Sequence, residues 1–562
     1  MLISEEDLKA LVLNTKLLDE KALNEIVSYA KNAEMSISEA LNERNIISDE
    51  NLGLLIADHL KIPFIVLSKI TIPQDVFFIV PERLARKQKV IAYARDQSGI
   101  KLAMADPSNV EVQQLIAQKT GQKVTASFAT ERDITNTLYI YRKDIQKTFD
   151  TILNEVSEHT NDDGEAETPI ARMVDLLIAY AYQDKTSDVH IEPQEKNSLI
   201  RFRIDGILHD VLFLPKHLHD RIVTRIKVMS RLRTDEHLAA QDGKMRVNID
   251  ESEYVDIRVS ILPIVEGEKI VLRLLSSRAK QFSLITLGMN ENDLKKVTNA
   301  FTKSFGMILS TGPTGSGKST SIYAILKILN VREKNITTIE DPVEYRLKGI
   351  NQIQVNPKTN LTFANGLRSI LRQDPNVVFV GEMRDGETAG IGVNAALTGH
   401  LVLSTLHTND AATTLPRLID MKIEPFLVAS TVNVIIGQRL IRKICDMCKT
   451  SYTANEDELT KQLPPAIVKK YFGEKKEIRL YKGAGCSLCH GTGYSGRIGL
   501  FEVLEVTKEV KKLITEKADS DIILKKAIDE GMTTMLDDGL MKVAKGVTTI
   551  QEVLRVTKVE SM

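Results

Sequence analysis

The sequence predicts an α/β protein of several domains, and three features carry that prediction. From about residue 285 onward, apolar strands alternate with helical patterns, the mark of a largely parallel sheet. Within that region a strand, a glycine-rich loop and a helix follow one another over 305–329. Upstream, Ile200, Phe202 and Ile204 alternate with Arg201, Arg203 and Asp205, and Val255, Ile257 and Val259 alternate with Asp256 and Arg258. A helix-plus-antiparallel-sheet domain is therefore expected ahead of the parallel one. At 562 residues the chain has room for roughly three or four domains.

Composition excludes several classes. Apolar residues make up 43% and charged residues 27%, an ordinary globular balance. Lys+Arg number 74 against 75 Asp+Glu, so the chain is not a polycation that wraps nucleic acid or coats an anionic membrane. The absence of Trp and an aromatic content of 5% also speak against an aromatic-lined nucleic-acid channel. The start, MLISEEDLKAL, has no basic region followed by an apolar core, so no secretory signal is expected and the default location is cytoplasmic. Thr388 to Asn409 is an uncharged run of 22 residues, but Asn394, His400, His407, Asn409 and three glycines would be poorly placed in lipid. It reads as a buried strand flanked by polar loops.

Taken in order, residues 1 to about 60 are expected to be helical, with Leu8, Leu11 and Val12, then Leu23, Ile26 and Val27, on shared faces. Ser48-Asp49-Glu50 before Leu52 is a helix start. Ile62 to Ala105, with Pro63, Pro73 and Pro81 between short apolar runs, suggests a small α/β module. The polar, acidic stretch Ser157 to Glu165 is the linker candidate. A helix then opens with Thr168 as N-cap and Pro169 at its first position, burying Ile170, Met173, Val174, Leu177 and Ala181. Asp205-Gly206 and Glu266-Gly267 are hairpin turns. The expected divisions are 1–150, a linker at 151–168, 169–282 and 283–562.

Phe305 to Thr311 reads as a buried strand leading into Gly312-Pro313-Thr314-Gly315-Ser316-Gly317-Lys318-Ser319-Thr320, a complete G-x-x-x-x-G-K-[ST] loop before a helix at Ile322 to Leu329. Glycines let backbone N–H groups converge on phosphate oxygens, and the helix N-terminus adds partial positive charge. Lys318 is expected at the β/γ-phosphates and Ser319 on Mg²⁺. No Asn-Lys-x-Asp guanine-reading motif occurs, so ATP is favoured over GTP. Val377 to Glu382 reads as a second core strand that ends in a carboxylate, with Glu382 where a Walker B strand would usually carry Asp. Glu340, Asp341 and Glu344 follow a third strand, on the side where ligands bind, and are candidates for water activation and Mg²⁺ organisation. His400 and His407 bracket the strand Leu401 to Leu406, as structural histidines or as sensors of the γ-phosphate.

All four cysteines fall in two pairs, Cys445-x-x-Cys448 and Cys486-x-x-Cys489. Each pair supplies two thiolates from one knuckle, and together they complete a tetrahedral Zn²⁺ shell. The redox alternative needs only one such pair in a βαβ setting. Gly491, Gly493 and Gly496 suit a tight knuckle, and the metal would staple an insertion at about 441–497.

Taken together, GPTGSGKST at 312–320, TIEDPVE at 338–344, LRQDPNVVFVGEMRD at 371–385 and TGHLVLSTLHTND at 398–410 resemble the type II secretion and type IV pilus assembly ATPases (the GspE and PilB families). SDVHIEP at 187–193, RFRIDG at 201–206, EGEKIVLRLL at 266–275 and GMTTMLDDGLMKVAKGVTT at 531–549 extend the resemblance, strong over about 170–560. It implies a cytoplasmic homo-hexameric motor with an N-terminal partner domain, a PAS-like domain and a zinc-stapled RecA-like core. Such a motor acts through an inner-membrane platform protein and accessory proteins, meeting the membrane through them and using no nucleic acid. It also implies that Glu344 orients the attacking water and that Glu382 serves at the Walker B position. Arg258, Arg273, Arg368 and Arg372 match arginines that reach nucleotide phosphates, whereas alternation alone would leave Arg258 and Arg273 facing solvent. The zinc site and the length favour pilus assembly over retraction, with type II secretion as the alternative. Some relatives bind cyclic di-GMP through an Arg-Leu-Gly motif. Ile37-Ser38-Glu39-Ala40-Leu41 and Asn45 stand there instead, so binding by that mode is not expected.

Overall fold

The computed structural model describes residues 3–557 apart from 4, 16–17, 34–36, 44–46, 48, 71, 139–148, 150, 152–166, 250–253, 276–282, 474–476 and 487. Ser48, Asn45 and the whole acidic stretch 157–165 lie outside the described residues. The chain forms two compact units, residues 138–280 and residues 1–137 together with 281–562. No described helix is long and apolar enough to cross a membrane.

The amino-terminal stretch has the expected helices, Glu5–Asn14, Glu20–Ala33, Ile37–Glu43 and Asp49–Leu60, which bury Leu8, Val12, Leu23, Ile26, Leu41 and Leu52 in one core. A three-stranded sheet follows, built from β1 (Val90–Asp96), β2 (Gly99–Met104) and β3 (Val124–Phe128).

In the 138–280 unit, β4 (Asp188–Pro193), β5 (Asn197–Ile204), β6 (Ile207–Pro215), β7 (Gln241–Asn248), β8 (Tyr254–Ile264) and β9 (Gly267–Leu275) make one antiparallel sheet in the order β6-β5-β4-β9-β8-β7. Helices Glu167–Gln183 and His219–Met229 cover its apolar face, where Val189, Ile191, Phe202, Ile257 and Leu272 are buried. Asp205 and Gly206 both take positive φ, as a tight two-residue hairpin turn requires. The second turn is Val265-Glu266, because Gly267 already begins β9. The first helix begins at Glu167, so Thr168 lies within its first turn. Phe149 is buried in this core, which carries the unit upstream into the stretch expected to belong to the amino-terminal domain.

The remaining sheet contains β10 (Gly306–Thr311), β11 (Ile336–Glu340), β12 (Asn351–Gln354), β13 (Val377–Val380), β14 (Leu401–Leu406), β15 (Val432–Ile444) and β18 (Tyr494–Glu505), in the order β12-β11-β13-β14-β10-β15-β18. Every neighbouring pair is parallel except β15 and β18. Such strands are buried on both faces, so they read as continuous apolar runs. Met307, Leu309, Val378 and Val402 face one layer of helices, while Ile308, Phe379 and Leu403 face the layer formed by Glu291–Phe301 and Lys318–Leu329. The uncharged run at 388–409 is not simply strand: its first half belongs to the helix Gly386–Leu397, whose small residues pack closely on the sheet.

Between β15 and β18 an insertion folds as the hairpin of β16 (Lys449–Asn455) and β17 (Glu477–Gly483) with two short helices. It buries Leu459, Val468, Ile478 and Leu480 against Leu540, Val543 and Val553 of the last helices, so it is anchored by an apolar core as well as by its cysteines.

Glu502 lies opposite Gly437 in the β15–β18 pair and accepts a hydrogen bond from the Ala411 N–H at 2.7 Å. Burial raises its carboxyl from 4.5 to about 7, with Asp410 adding to the rise and Arg439 opposing it. A raised acid keeps its proton in the folded state, so stability falls as pH rises from about 4.5 to 7 and then levels. Glu502→Gln is expected to remove about 3 kcal/mol of that decline, as a shallower fall of Tm between pH 5 and 8. Parallel Tm profiles for the two proteins would contradict this assignment.

Candidate functional site

Thr311 ends β10, and the chain turns through 312–317 into the helix Lys318–Leu329. The turn is confined by β15. A Cβ on Gly312 would lie 2.3 Å from the Gln438 carbonyl oxygen, and one on Gly317 would lie 2.8 Å from Gln438 Nε2. Both glycines also take positive φ, so only glycine fits. Pro313, Thr314 and Gly315 form an exposed crest, while Ser316 is buried and Ser319 and Thr320 are half-buried in the first helical turn. Lys318 is only 8% exposed and donates to the carbonyls of Gly312 (2.8 Å) and Pro313 (3.1 Å). Burial lowers its pKa, and the Glu382 charge opposes that shift.

Because β10, β14, β13 and β11 are parallel, whatever follows their carboxyl ends lines one edge of the sheet. Glu382 follows β13 and pairs with Arg384, and its other oxygen lies 3.4 Å from His407 Nε2 beyond β14. The Thr311 hydroxyl donates to the Thr408 carbonyl at 3.2 Å, tying the segment after His407 to the strand that carries the loop. Glu340 ends β11 with 3% exposure and accepts hydrogen bonds from Thr338, Tyr323 and Gln352. Glu344, in the following loop, is exposed.

His400 is not part of this edge. It precedes β14, its carbonyl accepts from the Gly306 N–H at the start of β10, and its Nδ1 faces the Ala395 carbonyl. Six strand residues lie between it and His407, a separation of roughly 23 Å at 3.3 Å per residue. It is a helix–strand anchor at the opposite edge. Arg372 lies near that opposite edge too: it bonds Arg368 O and Ser369 Oγ, and the adjacent Gln373 carbonyl accepts from Asn335 just before β11. Arg368 is held by Glu387 at 2.6 Å.

In the 138–280 unit, Arg258 and Arg273 are direct cross-strand partners on the face away from the core. Register extends the row across the sheet as Lys244, Arg258, Arg273, Asp188 and Arg203. Like charges set opposite one another destabilise a sheet. The buried Asp188 offsets part of that cost, accepting from Arg273 at 2.8 Å with Arg203 at 3.5 Å on its other side.

The four cysteines come together where β15 and β18 diverge. Cys445 and Cys486 Sγ are 3.8 Å apart, as are Cys448 and Cys489, and Cys486 and Cys489 are 3.7 Å apart. A tetrahedral Zn²⁺ with Zn–S bonds of about 2.3 Å needs sulfurs about 3.8 Å apart, so the donor set fits zinc. Backbone N–H groups of Gly485 and Gly493 point at Cys448 and Cys489 Sγ, at 3.3 and 3.2 Å, which favours thiolates. Gly491, Gly493 and Gly496 all take positive φ around the knuckle.

The sequence model of a family described as type II/IV secretion system protein matches residues 163–555. The chain belongs to that family. It is thus an ATP hydrolase of the type II/IV secretion ATPases, and a second family model, the MshEN domain, matches residues 60–142. The type IV pilus assembly ATPase PilB of Myxococcus xanthus is 36% identical, over 92% of this chain and 93% of its own length. Type II secretion system protein E of Dickeya dadantii is 42% identical, over 83% of this chain and 90% of its own. The X-ray structure of the Legionella pneumophila ATPase DotB shares the fold at 21% identity, with a TM-score of 0.51 over 68% of this chain and 94% of that one.

Two residues that shape this ATPase's site escaped sequence reasoning. Gln438 closes on the phosphate loop and accepts from Ser321 at 2.7 Å, and the visible signal was a lone Gln inside the apolar run of β15. Tyr323 joins the phosphate-loop helix to Glu340, and nothing local marks a Tyr in an apolar helix as more than core. For the metal centre, Cys448→Ser or strong chelation is expected to release about one zinc per chain and to open residues 446–490 to proteolysis. Nucleotide binding at Lys318 should persist. A chain that carries no zinc when purified under reducing conditions would overturn the metal assignment.

Proposed function

We propose that this ATPase is a homo-hexameric motor that drives type IV pilus assembly from the inner face of the cytoplasmic membrane, acting through an inner-membrane platform protein. The observation that carries the motor reading is the convergence of Lys318, Glu382 and His407 on one edge of the sheet, at the N-terminus of the helix Lys318–Leu329. Lys318 exchanges its two loop carbonyls for β/γ-phosphate oxygens, and the N–H groups of 315–320 receive the remaining negative charge. Ser319 would hold Mg²⁺, which would neutralise phosphate charge. Glu340 is buried and occupied by three donors, so the exposed Glu344 is the carboxylate that orients water toward the γ-phosphorus. The P–O bond to the β-phosphate breaks as the new one forms, leaving ADP and phosphate. Glu382 takes the Walker B position, and His407 beside it senses the γ-phosphate.

Arg258 and Arg273 supply cationic charge to the transition state, an effect of about 10³-fold or more for arginine fingers. Arg372, near the opposite edge from its own phosphate loop, serves a nucleotide only from a neighbouring subunit, and Arg368 is assigned with it. Pilus assembly is preferred because similarity to a pilus assembly ATPase runs through 92% of the chain. Type II secretion is the second reading, favoured by the higher 42% identity over a shorter span.

Lys318→Ala and Glu344→Ala are each expected to lower Mg²⁺-dependent ATP hydrolysis by about 10²-fold or more. Only Lys318→Ala should also weaken nucleotide binding. Full activity in both variants would overturn the site, and co-purification with a type II secretion platform protein would overturn the pilus assignment.

A further inference from the structure

A small buried polar cluster lies between the phosphate-loop helix and the loop that carries Glu344, and the reaction as described leaves it without a task. Tyr323 stands four residues after Ser319, so both project from the same face of the helix Lys318–Leu329. Its ring is fully buried, edge-on to Tyr345 at 4.6 Å between centroids and to Phe379 at 6.1 Å. Its hydroxyl donates to Glu340 Oε2. Glu340 Oε1 is taken by the Thr338 hydroxyl at 2.6 Å and the Gln352 amide at 3.1 Å.

Gln352, opposite Thr338 in the β11–β12 pair, completes the arrangement. Its amide nitrogen also lies 3.4 Å from the Tyr323 hydroxyl and donates to the Tyr345 carbonyl at 3.2 Å, and its oxygen accepts from the Leu347 N–H at 2.7 Å. The backbone is therefore gripped at Tyr345 and Leu347, directly after the proposed catalytic carboxylate. Burial raises both the Tyr323 and the Glu340 ionisations, which keeps the phenol a donor.

We propose that Tyr323 is a positioning residue for hydrolysis: through Glu340 and Gln352 it fixes the backbone at Tyr345 and Leu347, next to Glu344, relative to the phosphate-loop helix, so that phosphate binding and water orientation share one rigid frame. A misplacement of about 1 Å can cost on the order of 10²-fold in rate. The inference rests on the assignment of Glu344 as the water-orienting carboxylate.

The test uses the full-length hexamer, with folding checked by circular dichroism. Tyr323→Phe keeps the ring packing and removes only the hydroxyl. Its kcat is expected to fall about 10- to 100-fold, while KM for Mg²⁺-ATP and the affinity for a fluorescent ADP analogue stay within about twofold. Gln352→Ala, at a half-buried site, should move kcat in the same direction and serves where Tyr323→Phe folds poorly. The double variant Tyr323→Phe/Glu344→Ala should be no slower than Glu344→Ala alone, because a displaced carboxylate and a missing one remove the same interaction. If Glu344→Ala is impaired but kcat of Tyr323→Phe and Gln352→Ala is unchanged, or the losses add, the positioning role is overturned and the Glu344 assignment stands. A fully active Glu344→Ala overturns that assignment and this inference with it.

Discussion

The central strand β10 has a neighbour on each side, β14 and β15, and the phosphate loop that leaves it has no freedom to choose its path. Thr311 pairs with Leu406 on one side and Gly437 on the other, and the next residue, Gly312, turns directly beneath the Gln438 carbonyl. Any Cβ there would collide with main chain, which cannot step aside as a flexible side chain could. The loop is therefore shaped by a strand more than 120 residues downstream, and the Lys318 ammonium is already enclosed beneath the crest. Parallel pairing then does the rest. It delivers Glu382 and His407 to the same edge, where their side chains lie 3.4 Å apart and the Met383 N–H donates to the Thr405 carbonyl at 3.0 Å.

β15 and β18 extend this frame beyond the sheet. Ile444 still pairs with Tyr494, and the four sulfurs lie just past that pair, at the spacing a tetrahedral metal demands. A four-thiol centre at this point closes the open end of a long hairpin whose inner half holds the phosphate loop. The apolar contacts of Leu459, Val468 and Leu480 with the terminal helices fasten the insertion a second time. Buried carboxylates, Glu502 and Glu340 among them, sit at the joints between these layers. Each accepts hydrogen bonds from more than one element, so the polar groups specify relative placement while the apolar layers supply the cohesion.

The 138–280 unit follows a different logic. Its apolar face is ordinary, but its outer face sets Lys244, Arg258, Arg273 and Arg203 in one cross-strand row with a single buried aspartate. A row of cations this dense is unfavourable by itself in water, and salt would screen only part of the repulsion.

How much of this was legible beforehand depended on the range of the interaction involved. The phosphate loop, the two cysteine knuckles, the alternating strands and the Asp205-Gly206 turn follow from local chemistry: glycines at positive φ, paired thiols and a period of two, each visible within ten residues. Those features alone determined the α/β class, the glycine-rich loop between a buried strand and a helix, and the four-cysteine cluster. The uncharged run at 388–409 misled because a helix of small residues and a buried strand have the same composition once both faces are covered. His400 and His407 looked equivalent because they flank one strand, yet a strand has two ends and only its carboxyl end meets the ligand edge. Register alone set Arg258 beside Arg273, and tertiary burial alone made Glu340 a held carboxylate and left Glu344 exposed. These were decided by the tertiary structure because each depends on which distant strand lies alongside, and no local sequence signal carries that information.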